Sequence, residues 1–285
     1  MQFLNNNHAR IDYTLKVPYI TFPVLSELPF IRHGFSTRLG GVSDGIFESM
    51  NLGLEASEHA DDPEKIRINY ERLAGSIGVD PHSIVISKQV HKTNIRLVTR
   101  EDRGKGLYVP RDYDEIDGLV TDCTDVTLVT KYADCVPLFF VDQRNRAIGL
   151  THSGWRGTVN KIGWITVDEM KKHFATQPED LIAVIGPSIC SACYEVGEEV
   201  AQAFSDAFSE LGYNKSKFLM KNEAGRYHLD LWEVNREILM KAGLKEKQIH
   251  ISGVCTACHS ELLFSHRKTG GRRGSLAAFL ALKEQ

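Results

Sequence analysis

Short apolar, β-branched runs recur through the chain: Ile84-Val85-Ile86, Ile95-Arg96-Leu97-Val98, Gly118 to Thr121, Val126 to Thr130, Val136 to Val141, Ala147 to Leu150, Leu181 to Ile185 and Ile249-His250-Ile251. Each has strand length and most end near a turn residue. Apolar positions at helical spacing predict helices over about 63–78, 158–174, 197–211 and 230–242. The last of these has Asp230 as a natural N-cap, with Glu233 three residues on. Strands cluster centrally and helices interrupt them irregularly, which predicts an α+β fold of packed mixed β-sheets flanked by helices rather than a βαβ repeat. Residues 104–114 and 213–227 read as exposed loops, neither long enough to separate domains, so residues 1–285 are expected to form a single domain.

The composition narrows the function. Of 285 residues, 42% are hydrophobic and 25% charged, as in an ordinary globular protein. Lys and Arg number 34 against 37 Asp and Glu, a formal charge of −3, so nothing electrostatic recruits nucleic acid or an anionic membrane. No apolar stretch approaches the ~20 residues of a bilayer span. The N-terminal Met1 to His8 segment has no signal-peptide pattern. A cytoplasmic location is the expectation.

Three polar runs interrupt this pattern: Gln89-Val90-His91, Ala133-Asp134-Cys135-Val136-Pro137, and Thr151-His152-Ser153-Gly154-Trp155-Arg156-Gly157-Thr158. They supply two imidazoles and a thiol between apolar runs and turn residues, where strand ends hold reactive side chains. His91 and Cys135 are 44 positions apart and Cys135 and His152 are 17 apart, too far for finger-type spacing, so only the fold can unite them. A catalytic zinc takes three N or S ligands and keeps one position open. The alternatives are a Cys135–His152 thiol hydrolase acting on an amide or cell-wall precursor, or a buried cysteine with two hydrogen-bonded core histidines. Asp134 is placed to accept from a ligand histidine or to carry a proton.

Two further segments carry charge among glycines. His33 to Gly45 has four glycines and Arg38, a make-up that can present N–H groups to an anion without matching the Walker or dinucleotide patterns. Arg156, at a strand-to-helix turn, can reach a phosphate or carboxylate. Ser265 to Gly274 is a basic, glycine-rich turn, a phosphate candidate on charge alone. The six cysteines include two Cys-x-x-Cys pairs, Cys190/Cys193 and Cys255/Cys258. A four-thiolate zinc site is one reading, but about 60 intervening residues far exceed ribbon spacing, so free thiols are expected.

Taken together, His33-Gly34-Phe35-Ser36-Thr37-Arg38, Met50-Asn51-Leu52-Gly53, Gln89-Val90-His91, Asp117-Gly118, Ala133 to Pro137, His152 to Gly157, Cys193-Tyr194-Glu195-Val196-Gly197 and Phe264-Ser265-His266-Arg267 form an ordered series. It resembles the laccase-domain proteins, long labelled multicopper polyphenol oxidases and regarded as zinc-dependent purine nucleoside enzymes. That likeness implies a layered α/β/β/α fold, similar to a bacterial toxin deamidase, and Zn2+ on His91, Cys135 and His152. It implies phosphorolysis of adenosine, inosine, guanosine and S-methyl-5'-thioadenosine, with deamination of adenosine. Substrate contacts would come from Arg38, Asn51, Gln89 and Arg156, and Asp134, Arg156 and Arg38 would act in the chemistry. The partners implied are purine nucleosides and phosphate. The older label predicts copper oxidase chemistry, yet no two of the eleven histidines are one residue apart, so His-x-His pairs are absent. Copper could occupy the same three ligands.

Overall fold

The computed structural model describes residues 6–54, 60–209 and 215–283; the N-terminal five residues and positions 210–211 of the third expected helix lie outside them. In chain order the strands are β1 (Arg10–Ile11), β2 (Tyr19–Thr21), β3 (Ile31–Ser36), β4 (Ile84–Ile86), β5 (Ile95–Leu97), β6 (Gly118–Thr121), β7 (Thr127–Tyr132), β8 (Val136–Asp142), β9 (Ala147–Ser153), β10 (Leu181–Ile185), β11 (Glu195–Val196), β12 (Leu219–Lys221), β13 (Tyr227–Leu229), β14 (Ile249–Ile251) and β15 (Leu276–Leu282). The α-helices are α1 (Pro23–Ser26), α2 (Pro63–Ile77), α3 (Trp155–Val159), α4 (Ile162–Phe174), α5 (Glu198–Ser209), α6 (Leu231–Lys241) and α7 (His266–Thr269).

Two mixed six-stranded sheets form the centre, ordered β1-β2-β3-β15-β7-β4 and β14-β10-β8-β9-β6-β5. Alternation along the strands sorts side chains into layers. Leu128, Tyr132, Leu276, Ala278 and Leu280 of the first sheet meet Phe139, Val141, Ile148, Leu150 and Val184 of the second. The intervening residues face outward: Val129, Ala277 and Phe279 pack under Tyr70, Leu73 and Ile77 of α2. On the far side, Leu138, Phe140 and Ile185 pack under α4, α5 and α6 through Val167, Met170, Phe204, Val234 and Ile238. The order α2, sheet, sheet, helices is the expected α/β/β/α layering, and among the described residues no helix is long and apolar enough to cross a membrane.

All eight expected strands are present, and the structure adds others. Positions 213–214 of the expected loop at 213–227 lie outside the described residues, and the rest contains β12 and leads into β13; these two pair with each other, and β13 pairs also with β11, in a small third sheet. The glycine-rich segment from His33 begins inside β3, so its loop is confined to the residues after Ser36. The expected helix over 158–174 is two helices: α3 starts earlier, at Trp155, and Lys161 at φ 58° breaks the helical path. A polar knot explains the break, because Thr158 Oγ1 hydrogen-bonds Ser153 Oγ at 2.8 Å and the Gly154 carbonyl at 2.9 Å, holding α3 against β9 while α4 redirects across the sheet.

His33 in β3 is 6% exposed, and its Nε2 accepts from the Phe22 N–H at 2.8 Å. Burial lowers its pKa to about 3, against 6.5 for a free imidazole. Above pH ~6.5 the residue is neutral in both states. Below that, the unfolded chain takes up a proton that the folded one refuses, so stability is lost as pH falls towards 3 at up to ~1.4 kcal/mol per unit. His33→Gln, which keeps an acceptor and cannot titrate, is expected to flatten the fall of the thermal midpoint between pH 6.5 and 4; an unchanged slope would show that the loss arises elsewhere.

Candidate metal centre

The strand directions gather the polar runs at one end of the second sheet. Val136 pairs with Ser153 and Pro137 with His152, so Cys135, just before β8, sits beside the end of β9. Gly118 pairs with Thr151, which places Asp117, before β6, at the same end. β5 runs parallel to β6 and starts opposite Gly118, bringing the preceding His91 turn there too.

His91, Cys135 and His152 converge, their ligand atoms all within 4.8 Å of one another. Nε2 of His91 lies 3.9 Å from Sγ of Cys135, and the two imidazole rings stand 4.9 Å apart at 78°. Around a tetrahedral zinc with ordinary bond lengths, a nitrogen and a sulfur ligand would be about 3.6 Å apart. The donor set therefore fits a divalent ion bound by two imidazoles and one thiolate.

Asp117 organises the centre. It is fully buried, and its carboxylate accepts from the backbone N–H groups of Val90, His91 and Lys92 at 3.0, 2.9 and 2.9 Å and pairs with His152 Nδ1 at 2.8 Å. Three consecutive N–H groups around one carboxylate hold His91 in a left-handed turn at φ 63°, a strained geometry for a residue with a side chain. The bond to Nδ1 fixes the His152 tautomer and leaves Nε2 for a metal.

The charges are coupled. Burial opposes ionisation of Cys135, but His152 and His91 outweigh it and hold the thiol near a pKa of about 6. Burial likewise opposes charge on His152, and the Cys135 thiolate with Asp117 lifts it to about 9. A bound cation would displace the His152 proton and take over the neutralisation of Cys135.

Gly154, just beyond β9, is required by close approach. A Cβ there would stand 2.8 Å from Cδ2 of His91 and 3.1 Å from Sγ of Cys135. Its φ of −71° suits any residue, so the constraint is contact with the ligands alone. Gly154→Ala is expected to weaken metal retention ~10–100-fold with little change in the thermal midpoint of the metal-free protein. Equilibrium dialysis reads the first and calorimetry the second; unaltered affinity would refute the steric argument.

His91, Cys135 and His152 lie in a cleft of about 210 Å³ lined also by Gln89, Lys131, Tyr132, Ala133, Arg273 and Ser275. Burial lowers the Lys131 ammonium to about 7. Burial also lowers Arg273, and Asp134 and Cys135 act against that by favouring its charge. One Arg273 nitrogen donates to Ser275 Oγ at 2.9 Å and to the Gly274 carbonyl at 3.1 Å, while its buried Nε has no partner among the described residues.

The other sequence candidates are placed differently. Asp134 does not accept from a ligand histidine: its oxygens take the Thr256 hydroxyl at 2.6 Å and the Arg267 N–H at 2.7 Å, and Asp117 fills the predicted role. Gln89 uses both ends of its amide on the backbone of Lys131, at 2.7 Å each, and so builds a wall of the cleft. Buried Asn51 accepts from Gly53 and Ser275 N–H groups at 3.0 and 2.8 Å and shapes the loop behind Ser275. Arg38 donates to the carbonyls of Glu48 and Ser260, both at 3.0 Å, and stacks on Phe264, outside the cleft lining. Arg156 is exposed, its guanidinium 4.2 Å from the Trp155 ring centroid. It still belongs to this neighbourhood, because Tyr194 feels Cys135, Arg267, Asp134 and Arg156 together. Asp117 carries no distinguishing signal in the sequence, and Arg273 belongs to the basic turn that is a phosphate candidate on charge alone; only the start of β15 beside the end of β7, where Leu276 pairs with Tyr132, brings Arg273 to His91, Cys135 and His152.

The chain is similar to known proteins. The chain is 39% identical over 255 residues to the purine nucleoside phosphorylase YlmD of Bacillus subtilis, covering 88% of each protein. It is 33% identical over 261 residues to the adenosine deaminase RL5 from an unknown prokaryotic organism, covering 88% of this chain and 95% of that enzyme. The crystal structure of the hypothetical protein YfiH of Bacillus licheniformis superposes with a TM-score of 0.86 at 33% identity, covering 96% of this chain and 99% of that one. Residues 32–283 match the family described as multi-copper polyphenol oxidoreductase laccase, and the chain belongs to that family.

Proposed function

We propose that this protein is a zinc-dependent purine nucleoside phosphorylase that also deaminates adenosine. The observation that carries the reading is the convergence of His91, Cys135 and His152 in a cleft that Arg273 also lines. The names of the relatives point the same way, one a phosphorylase and one a deaminase. A divalent ion on these ligands would supply Lewis-acid polarisation and, for deamination, a bound water of lowered pKa.

The chain's own residues do the rest. In phosphorolysis the bond from the ribose anomeric carbon to the purine nitrogen breaks, a bond to a phosphate oxygen forms, and the base leaves with a proton. Arg273, whose Nε has no partner among the described residues, holds the phosphate by charge-assisted hydrogen bonds as positive charge develops on the sugar. Arg156 and Arg38 are the further cations proposed to meet the anion as substrate enters. Lys131, whose ammonium burial lowers to about 7, is the proposed proton donor to the leaving base. In deamination water replaces the purine amino group, which departs as ammonia, and no phosphate is consumed.

The test is incubation of zinc-loaded protein with inosine or adenosine, with and without phosphate, and chromatography of the products. Phosphate-dependent hypoxanthine or adenine, together with inosine from adenosine, is expected; fully loaded protein that consumes no nucleoside would overturn the proposal. Arg273→Ala is expected to raise the KM for phosphate ~10–100-fold, the worth of a hydrogen bond to a charged group.

One observation favours a second reading. Asp117, His152 and Cys135 form a series able to activate a thiolate nucleophile, which would make the protein a hydrolase of amides. His91 helps to lower the Cys135 thiol but is not the base in that chemistry.

A further inference from the structure

A second cluster lies outside the cleft. Cys190, Cys193, Cys255 and Cys258 bring their four sulfurs within 4.8 Å of one another. The fold explains how residues so far apart meet. β10 and β14 are parallel neighbours, Ile185 level with Ile251, so the loops that follow leave the sheet side by side. Each loop carries a Cys-x-x-Cys, starting five residues after Ile185 and four after Ile251. The loops stay in register, because the N–H of Ser188 donates to the Val254 carbonyl at 3.1 Å and that of Thr256 to the Ser188 carbonyl at 3.2 Å.

We propose that these four cysteines form a closed tetrathiolate site for a zinc ion, a structural site separate from the cleft. Four sulfurs around one zinc at tetrahedral angles lie about 3.8 Å apart. Sγ of Cys258 is 4.0 Å from that of Cys190 and 3.5 Å from that of Cys193. The Cys255 sulfur accepts from the N–H groups of Cys190 and Cys258 at 3.3 and 3.4 Å, donors that stabilise a thiolate. Binding releases the thiol protons and leaves no position open, so the site holds structure and does no chemistry.

What it would hold is the metal-ligand turn of the cleft. Asp134, next to Cys135 and at φ 86°, is fastened from both cysteine loops: its carbonyl accepts from the Ile189 N–H at 3.0 Å and its carboxylate from the Thr256 hydroxyl at 2.6 Å. Ile189 directly precedes Cys190, and Thr256 lies between Cys255 and Cys258. An ion joining the loops would therefore fix the turn that presents Cys135.

Metal analysis of the protein purified under reductant tests this without reference to activity. Two zinc equivalents per chain are expected in the wild type. One is expected in the His91→Ala, His152→Ala double variant, whose cysteine cluster is untouched, so that a poorly folding cysteine variant cannot leave the matter open. Replacing the remaining zinc by cobalt should give the intense thiolate-to-metal absorption of a four-sulfur tetrahedral site, a band that Cys193→Ser or Cys258→Ser added to the double variant should abolish, whereas either substitution in the wild-type chain should leave one zinc, that of the cleft. A metal-free double variant would overturn the proposal, as would cobalt bands of an octahedral or single-thiolate site, or a mass showing Cys190, Cys193, Cys255 and Cys258 joined as disulfides.

Discussion

Cys135→Ser is expected to lower phosphate-dependent base release by more than about 100-fold, since residues that merely orient a metal ligand already cost ~10–100-fold. The substitution is nearly isosteric and removes the only sulfur from the ligand set, so the protein should stay folded while the ion in the cleft is lost. The parallel variant, His91→Ala, discriminates between mechanisms. It leaves Cys135, His152 and the bond from His152 to Asp117 intact, which is all that a thiolate nucleophile needs. A metal-dependent nucleoside enzyme should lose its activity with His91, whereas a thiol hydrolase should keep most of its rate. Turnover, bound metal and the circular dichroism spectrum measured on both variants decide the matter. A metal-free Cys135→Ser protein that still splits nucleosides at the wild-type rate would end the metal hypothesis.

The second large effect is expected at Asp117. An asparagine there has one acceptor oxygen for the four groups that now surround the carboxylate and turns an N–H2 towards donors. Breaking a buried charged network of this kind costs roughly 3–5 kcal/mol, or about 10 °C in thermal midpoint for a chain of this size. Metal affinity should fall ~10–100-fold as well, because the His152 tautomer is no longer fixed. The pH dependence gives an independent check. Burial alone would raise the Asp117 pKa, but His152 and the backbone donors hold it below the ordinary 3.8. The stabilisation is thus complete above about pH 4 and is lost as pH falls through the lower native value. The stability gap between wild type and Asp117→Asn should therefore be widest at neutral pH and close in acid. A gap that is small and independent of pH would mean that the carboxylate organises nothing.

The convergence of His91, Cys135 and His152 was legible because each stands among turn residues at the end of an apolar run, where a buried packing role explains little. Their partners were not. Asp117 is a single aspartate before a glycine, and only the pairing of Gly118 with Thr151 makes it the neighbour of His152. Asp134, next to Cys135 in sequence, looked the better partner, but its left-handed turn points it towards Thr256 and Arg267. The cysteine pairs were discounted on their separation along the chain, a rule that loses force once parallel strands deliver two loops to one place. β15 escaped notice for a different reason: Leu276-Ala277-Ala278-Phe279-Leu280-Ala281-Leu282 is rich in helix formers and lacks alternation, since both its faces are covered. Central burial overrides its local preference.

That strand lies between β3 and β7, paired with both. It is synthesised after every other member of its sheet, so during translation β3 and β7 emerge with their inner edges open and no partner between them. The nascent chain must keep those edges from pairing wrongly until β15 arrives, an interval in which chaperone binding and aggregation compete with folding. Trimming residues 276–282 would accordingly cut the molecule's centre in two, although they stand close to the carboxyl end of the sequence.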